Sequence, residues 1–388
     1  MSLPVPEYNR LTSGVNPLSR ERAELNAAGD GTGVTVASRF GTLERAQKVF
    51  PHVMSPDDTI DWAALQSAID AGSCYIPDTS HRYVINRRLR LTGGKRIVGN
   101  GGRRCAKRSP GIYAHPTLSD AMIASSGDHN SVEGIYIEGN RNIETRGLQH
   151  FKGSNDNLLT VRDCCFILFG CEAIRIEGGL QHQISDTFGK DALQNPRYLK
   201  EPRGAIDIAG QDHSITSCEF ACRSNANTGN TASMLLRCGR SKLFDVLGEV
   251  SEMGIYLHWD SNNCRLFAVR SDLNQKQGFL VDGPRHSFFG CESVFSSMEE
   301  SGKHPGALVM SNENYFSGFV SSTGKGRAVH SVSIKDVAAK RGPNRYRDTQ
   351  KHALDGGLYD LTEAHPVTRR RVELELTVNQ PDRPITEF

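Results

Sequence analysis

The chain has 388 residues, with Lys+Arg 46 against Asp+Glu 44, and a net charge of +2 excludes the large single-sign field of a nucleic-acid-binding surface. Its dense basic stretches, Arg369-Arg370-Arg371 and Arg103-Arg104 with Lys107-Arg108, are not interleaved with aromatics, so no nucleic-acid partner is expected. No apolar run approaches the roughly 20 residues that cross a bilayer, and MSLPVPEYNR lacks the apolar core of a signal peptide. No membrane partner is expected. The protein stays inside the cell, is carried in a particle, or has lost a leader.

Residues 1–34 are polar and turn-rich and read as an extended arm ending in Gly29-Asp30-Gly31-Thr32-Gly33. No apolar strand precedes that glycine cluster and no Lys-Ser/Thr follows it, which argues against a phosphate-cradling loop. Residues 41–50 and 57–71 read as helices. In the second, Asp57 or Asp58 is placed to cap, and Ile60, Ala64, Leu65, Ala68 and Ile69 form one apolar stripe. Short strands follow at CYIP (74–77), YVINRRLRL (83–91) and KRIVGNG (95–101), so residues 35–95 form a cap with helices and first strands.

The middle of the chain repeats a short unit: a small residue, then alternating apolar positions, then a turn. AIRIEGG (173–179), AIDIAGQ (205–211), SMLLRCG (233–239), GIYLHWD (254–260), GFLVDGP (278–284) and GALVMSN (306–312) carry it. A second strand signal follows most turns, as in HSITSCEF (213–220) and HSFFGCESVF (286–295). Alternation of period two makes each unit a strand, and recurrence every few tens of residues makes the whole a stacked solenoid. Two or three short strands per coil describe a parallel β-helix over 96–330, right-handed by the usual preference of parallel crossovers.

Cys164 and Cys218 occupy equivalent inward places, VRDCCF against ITSCEF, and are expected as buried thiols in preference to disulfides. No C-x-x-C pair or Cys/His cluster has zinc spacing, so no structural metal and no cofactor are expected.

The order Gly-Asp-Gly (29–31), Asp57-Asp58-Thr59 leading into WAALQSAIDAG (62–72), CYIPD, then YVINRRLRLTGGKRIVGNG resembles the amino-terminal segment of pectin-lyase-like β-helix proteins. That group includes pectate-lyase-type enzymes, polygalacturonase-like hydrolases and bacteriophage tailspikes. The resemblance covers about residues 29–320 and implies an all-β, single-stranded right-handed parallel β-helix whose N-terminal helix caps the open end. It also implies a polysaccharide partner, either cleaved by a tailspike-like depolymerase (glycoside hydrolase or polysaccharide lyase) or held by a non-catalytic structural or receptor-binding module. With no leader and reduced cysteines, a virion or cytoplasmic location is favoured over secretion. The segment TGVTVASRFGTLERAQKVFPHVMSP is an insertion relative to that group, and Asp-Asp-Cys, Asn-Thr-Asp and an acidic calcium constellation are all missing.

Beyond about residue 330 the repeat fades, and 331–388 reads as a looped tail ending in an alternating strand, RRRVELELTV (369–378). VELELTV offers an edge for a neighbouring copy, and the tailspike-like group implies a homotrimer.

Stacking places equivalent positions in columns about 4.8 Å apart. The inward columns, from Ile174, Ile206, Met234, Ile255, Phe279 and Ala307 to Ile176, Ile208, Leu236, Leu257, Val281 and Val309, are wholly apolar. The outward face instead gathers Asp207, Arg237, Glu252, Tyr256, His258, Lys276 and Asp282 across coils 203–285, either as a solvated face or as a site. Asp207, Glu252 and Asp282 are the candidate catalytic carboxyls, because hydrolysis needs one protonated and one ionised carboxyl. Arg237, Tyr256, His258, Lys276 and Trp259 are the candidate substrate-binding groups. Arg237 or Lys276 with Tyr256 or His258 also suits β-elimination, which needs a cation for a uronate and a base for its α-proton. Trp259 fits either a sugar-stacking role or packing in the core or turn. Asp128-His129-Asn130, Asp212-His213 and Arg285-His286 recur at the turns before strands, where Asn and Asp read as partners of neighbouring backbone.

Overall fold

The computed structural model describes residues 33–77, 82–101, 110–142, 144–153, 157–193, 201–222, 230–298, 303–322, 332–335, 344–347, 350–352, 359–364, 366–370 and 372. The arm at 1–32, the Arg103–Arg108 stretch and 373–378 of the expected terminal strand lie outside them. The chain divides into two compact units, Met1–Ala173 with Asp186–Phe188, and Ile174–Ser185 with Gly189–Phe388.

Among the described residues, the first unit has the helices α1 (Val36–Phe40), α2 (Leu43–Val49) and α3 (Ile60–Asp70) ahead of its strands. Thr35, Thr42 and Thr59 cap them, each side chain accepting a backbone N–H three residues on. Thr59 thus takes the place expected for Asp57 or Asp58. Asp58 is buried and accepts from the backbone N–H groups of Met54 and Ser55, both at 2.9 Å, while pairing with Arg87.

The expected stripe of α3 is buried, but so is most of its circumference. Its polar side chains have turned into substitutes for a missing coil. Asp61 accepts the N–H of Val84 at 2.7 Å, Gln66 accepts that of Arg90 at 2.8 Å, and the Trp62 indole donates to the Arg88 carbonyl at 3.1 Å. Strand-edge groups that would otherwise be orphaned are thereby satisfied.

Behind the helix, strands recur in a three-fold rota. Ser73–Ile76, Arg96–Gly99, Ser131–Glu133 and Thr160–Arg162 pair in parallel in one sheet. Arg82–Ile85, Gly111–Ala114, Tyr136–Glu138 and Cys165–Ile167 form the second. Leu89–Thr92, Ala121–Ser126 and Arg146–His150 form the third.

The second unit follows the same rota. Its third sheet runs through Ile174–Ile176, Arg203–Gln211, Thr231–Gly239, Met253–Leu257, Phe279–Val281 and Ala307–Val309, all parallel. The register matches Ile174, Ile206, Met234, Ile255, Phe279 and Ala307 in one column, each with 0% exposure, so the six repeats are the six rungs expected. Each coil is three strands of a parallel β-helix, right-handed as parallel crossovers require.

The repeat outlasts its sequence signal. Val332–Ile334, Arg345–Arg347, Gln350–His352 and Tyr359–Asp360 continue the three sheets past the boundary read near residue 330. Residues 366–370 are helical, so the described start of the expected terminal strand is not strand. Here longer connections interrupt the alternation that the eye follows, while the backbone pairing persists.

Cys164 and Cys218 are buried free thiols, and burial pushes Cys164 up to about 12. Cys165 departs from the expectation of wholly reduced cysteines: it is disulfide-bonded. It follows Cys164 directly, and successive strand residues face opposite sides, so it leaves the core column and packs outside with Val84, Tyr113 and Tyr136.

Candidate functional site

The outward face of the third sheet in the second unit is a packed surface, not an open charged one. Ala232, Leu235, Met253 and Tyr256 bury one another there, with Leu280 against them. Apolar positions in the first outward column thus make a second, external layer, and the polar groups stand beside it.

Register fixes the order of those groups. Ala209 pairs with Arg237, and the pairings Leu236–Leu257 and Leu257–Val281 make Arg237, His258 and Asp282 successive members of one column. Arg237 reaches back across its coil: its Nε lies 3.3 Å from Asp207 Oδ1, and an Nη donates to the Pro202 carbonyl at 3.1 Å. Asp207 is only 6% exposed, and that guanidinium is one partner of its charge.

On the other side, the Tyr256 hydroxyl donates to Asp282 Oδ2 at 3.3 Å. Burial first, and then the Asp282 carboxylate, push that hydroxyl up to about 12, so it keeps its proton. His258 lies between, its ring 5.5 Å from that of Tyr256 and 5.1 Å from that of Trp259. Burial and the neighbouring Arg237 lower its pKa, outweighing Asp260 and Asp282, so the imidazole is neutral at pH 7. Its Nδ1 meets both Asp260 Oδ2 at 3.2 Å and the Asp260 N–H at 3.4 Å. These are the two tautomers' options. With Nδ1–H on the Asp260 carboxylate, Nε2 is the ring's acceptor.

Trp259 is 65% exposed, which excludes core packing and presents an indole at the edge of the cluster. Asp260, which meets His258, lies in the turn outside any column, so the alternation of the strand gave no sign of it.

Glu252 and Lys276 stand apart from this group. Glu252 is 3% exposed and accepts from the Thr231 N–H at 2.9 Å, the Thr231 hydroxyl at 3.1 Å and Lys276 Nζ at 3.3 Å. The expectation that Asp207 and Glu252 share a groove counted only the step between coils. Register puts Glu252 across from Thr231, the partner of Arg203, upstream of the Asp207 column. Four residues along the strand and two coils across separate the backbones by roughly 16 Å, beyond the reach of a carboxyl pair.

Asn130 partners backbone as expected, and the histidines of these turns do the same. The His286 Nδ1 accepts the Cys264 N–H at 3.2 Å, the His286 backbone N–H donates to Asn314 Oδ1 at 2.8 Å, and the Asn314 backbone N–H donates to Asn344 Oδ1 at 2.8 Å. Similarly, His213 Nδ1 accepts the His182 N–H at 3.2 Å with the two rings stacked 4.8 Å apart, and Asn130 Oδ1 accepts the Lys95 N–H at 3.0 Å. The ladder touches the outward cluster at one point. Ser261 donates its hydroxyl to the His258 carbonyl at 2.6 Å and contacts His286 Nε2 at 3.1 Å.

Residues 194–200 and 223–229, in the long coils beside this face, lie outside the described residues. Among the described residues, no helix is long and apolar enough to cross a membrane.

The sequence matches no protein-family model and no curated protein. Solved structures share the fold. The enzymatically active domain of bacteriophage CBA120 tailspike protein 2 aligns at TM-score 0.59 and 10% identity, over 72% of this chain and 44% of that one. A tailspike protein variant of Escherichia coli bacteriophage HK620, in complex with a pentasaccharide, aligns at 0.57 and 10% over 77% and 59%. The A-module of the Azotobacter vinelandii mannuronan C-5 epimerase AlgE4 aligns at 0.50 and 13% over 79% and 94%. The chain therefore spans less than half of the first of these and most of the last. It has the right-handed β-helix fold of tailspikes and of this epimerase module.

Proposed function

We propose that the second unit binds an acidic polysaccharide across Asp207, Arg237, Tyr256, His258 and Asp282 and cleaves it by β-elimination at a uronate. The observation behind this reading is the row of a cation, a neutral imidazole and a protonated phenol on one outward face beside an exposed indole. Arg237, positioned by Asp207, neutralises the uronate carboxylate and so acidifies the adjacent C–H. His258, kept neutral by burial and Arg237 and oriented by Asp260, takes the C-5 proton. The electron pair left behind forms the C4–C5 double bond as the C4–O bond breaks, and Tyr256 gives its proton to the departing oxygen. The proton held by His258 then returns through solvent to the tyrosinate, and the Asp282 carboxylate favours that return because it raises the phenol's pKa. Trp259 offers a face for a neighbouring sugar ring.

Hydrolysis by two carboxyls finds less support. Glu252 is committed to Thr231 and Lys276 away from Asp207, and Asp282 is committed to Tyr256. Carbohydrate as the ligand draws support from the fold-mates: one is crystallised with a pentasaccharide and another is named for mannuronan, a uronic acid polymer. A tailspike-type virion component, assembled as a homotrimer, is the matching biological setting; light scattering of the full chain giving a monomer mass would remove the trimer.

A non-catalytic binding module is the second reading. It is favoured by one observation: Arg237 is already satisfied by Asp207 and the Pro202 carbonyl. Incubating the protein with polyuronates and neutral glycans separates the readings. Elimination produces near-ultraviolet absorbance from the unsaturated uronate together with new reducing ends. Reducing ends without absorbance indicate hydrolysis, and binding with neither leaves the module.

A further inference from the structure

The first unit carries a concave site that the outward cluster does not use. A pocket of about 270 Å³ opens beside α3, with Trp62, Leu118 and Met54 as apolar lining and Arg87, Arg88 and Arg90 around them. That volume is just under the range of about 300–1,000 Å³ typical of small-molecule sites, which fits one sugar-sized ring and not an oligosaccharide.

The three guanidiniums are not equivalent. Arg87 lies over the Trp62 ring at 5.9 Å and is held by buried Asp58, so its charge is already met. Arg88 pairs with Asp120 at 3.2 Å, but the two side chains are 38% and 43% exposed. A pair that open is weak and exchanges readily for another carboxylate. Arg90 points outward from Leu89–Thr92, whose leucines are buried, and among the described residues its side chain has no ion-pair partner. The pocket therefore presents one unpaired and one exchangeable guanidinium, with the hydroxyls of Thr117 and Ser119 in its lining and the largely covered Trp62 and Leu118 beneath.

We propose that this pocket binds a single uronate unit, with Arg90 and Arg88 taking the carboxylate and the Thr117 and Ser119 hydroxyls facing those of the sugar. Guanidinium forks match a planar carboxylate in two-point contacts, and side-chain hydroxyls suit a sugar's hydroxyls as donors and acceptors. The inference stands independently of the cleavage reading, since it uses none of the residues around His258.

Tryptophan fluorescence tests it directly, because Trp62 and Trp259 are the only two indoles in the chain. In full-length Trp259→Phe, the remaining signal reports Trp62 and is blind to the other face. Titration with free glucuronate is expected to change it saturably, whereas glucose at the same concentration leaves it flat. Arg88→Ala/Arg90→Ala is expected to weaken glucuronate at least tenfold, and Arg90→Lys, which keeps the charge but loses the fork, to weaken it less. Unchanged melting of each variant by circular dichroism keeps a loss of fold from imitating a loss of binding. A flat glucuronate titration, an equal response to glucose, equal affinity for inorganic phosphate, or an undiminished response in the double variant would each overturn the proposal.

Discussion

His258 and His286 sit in adjoining coils of the second unit and are joined through Ser261, yet they live in different chemistry. His258 lies in an outward column among Arg237, Tyr256 and Asp282, beside an indole that faces solvent. His286 is fully buried and does the work of an amide, accepting one backbone N–H and passing its own to the next turn. Both imidazoles are kept neutral, one by a mixture of burial and a cation, the other by burial alone. What separates a candidate base from a structural strut is thus the company of groups that could bind a ligand, not the titration of the ring.

The sharpest way to break the comparison is on the outward side. His258→Gln and Tyr256→Phe preserve shape and remove a proton acceptor and a donor, so either is expected to lower eliminative turnover by about 10²–10⁴-fold. Full turnover in both, measured by product absorbance, would remove the outward cluster from the chemistry. Trp259→Ala is expected to raise the apparent KM with little change in melting, since so exposed a side chain contributes little to packing.

On the buried side, His286→Ala leaves the Cys264 N–H without its acceptor and opens a void, which is expected to cost about 2–4 kcal/mol in urea melts. His286→Asn is expected to cost far less, because Asn314 and Asn344 perform the same task one and two coils on.

Acid sharpens the contrast further. Burial holds His286 down to about 3 from an ordinary 6.5, so across that window the unfolded chain binds a proton that the folded chain refuses. Its contribution is present in full above pH 6.5 and is lost as pH falls toward 3, by up to about 1.4 kcal/mol per pH unit. The slope of stability against pH in that range is expected to be shallower in His286→Asn than in the parent.

The smallest effect is expected at a turn. Ala268 has φ +50° and Gly290, at the equivalent place one coil on, has φ +58° with open space around a would-be Cβ. Ala268→Gly is expected to gain, and Gly290→Ala to lose, about 0.5–1 kcal/mol of stability by thermal melting. Gly134 occupies the same turn in the first unit, but a Cβ there would meet the Gly99 carbonyl oxygen, so Gly134→Ala is expected to cost more than Gly290→Ala.

Period-two alternation made the rungs legible because burial of one strand face leaves a mark at every second residue. Ile206, Met234, Ile255 and Phe279 could be assigned to one column before any coordinates. The coils after residue 330 could not, since backbone pairing at Arg345–Arg347 or Tyr359–Asp360 needs no particular side chain. The outward face was legible by residue type only. Arg237, Tyr256, His258 and Asp282 were brought together as read, but the alternation says nothing about displacement along a strand, which is where Glu252 was misplaced. Nor does it reveal that Leu235 and Tyr256 would build an external apolar layer, or that Asp260 would steer His258 from a turn.

Asp61, Gln66 and Trp62 on α3 grip backbone groups at Val84, Arg90 and Arg88. A parallel strand copies its alignment from the strand below, so the first one must take its alignment from something that is not a strand. Those three side chains are that template, each set on a helix whose geometry is local and quick to form. Slippage by one residue would turn the leucines of Leu89–Thr92 to solvent, and Gln66 forbids it by fixing which N–H it receives. Within the first unit, α3 is therefore less a lid than a starting mark, and the phase of every later rung there is counted from it.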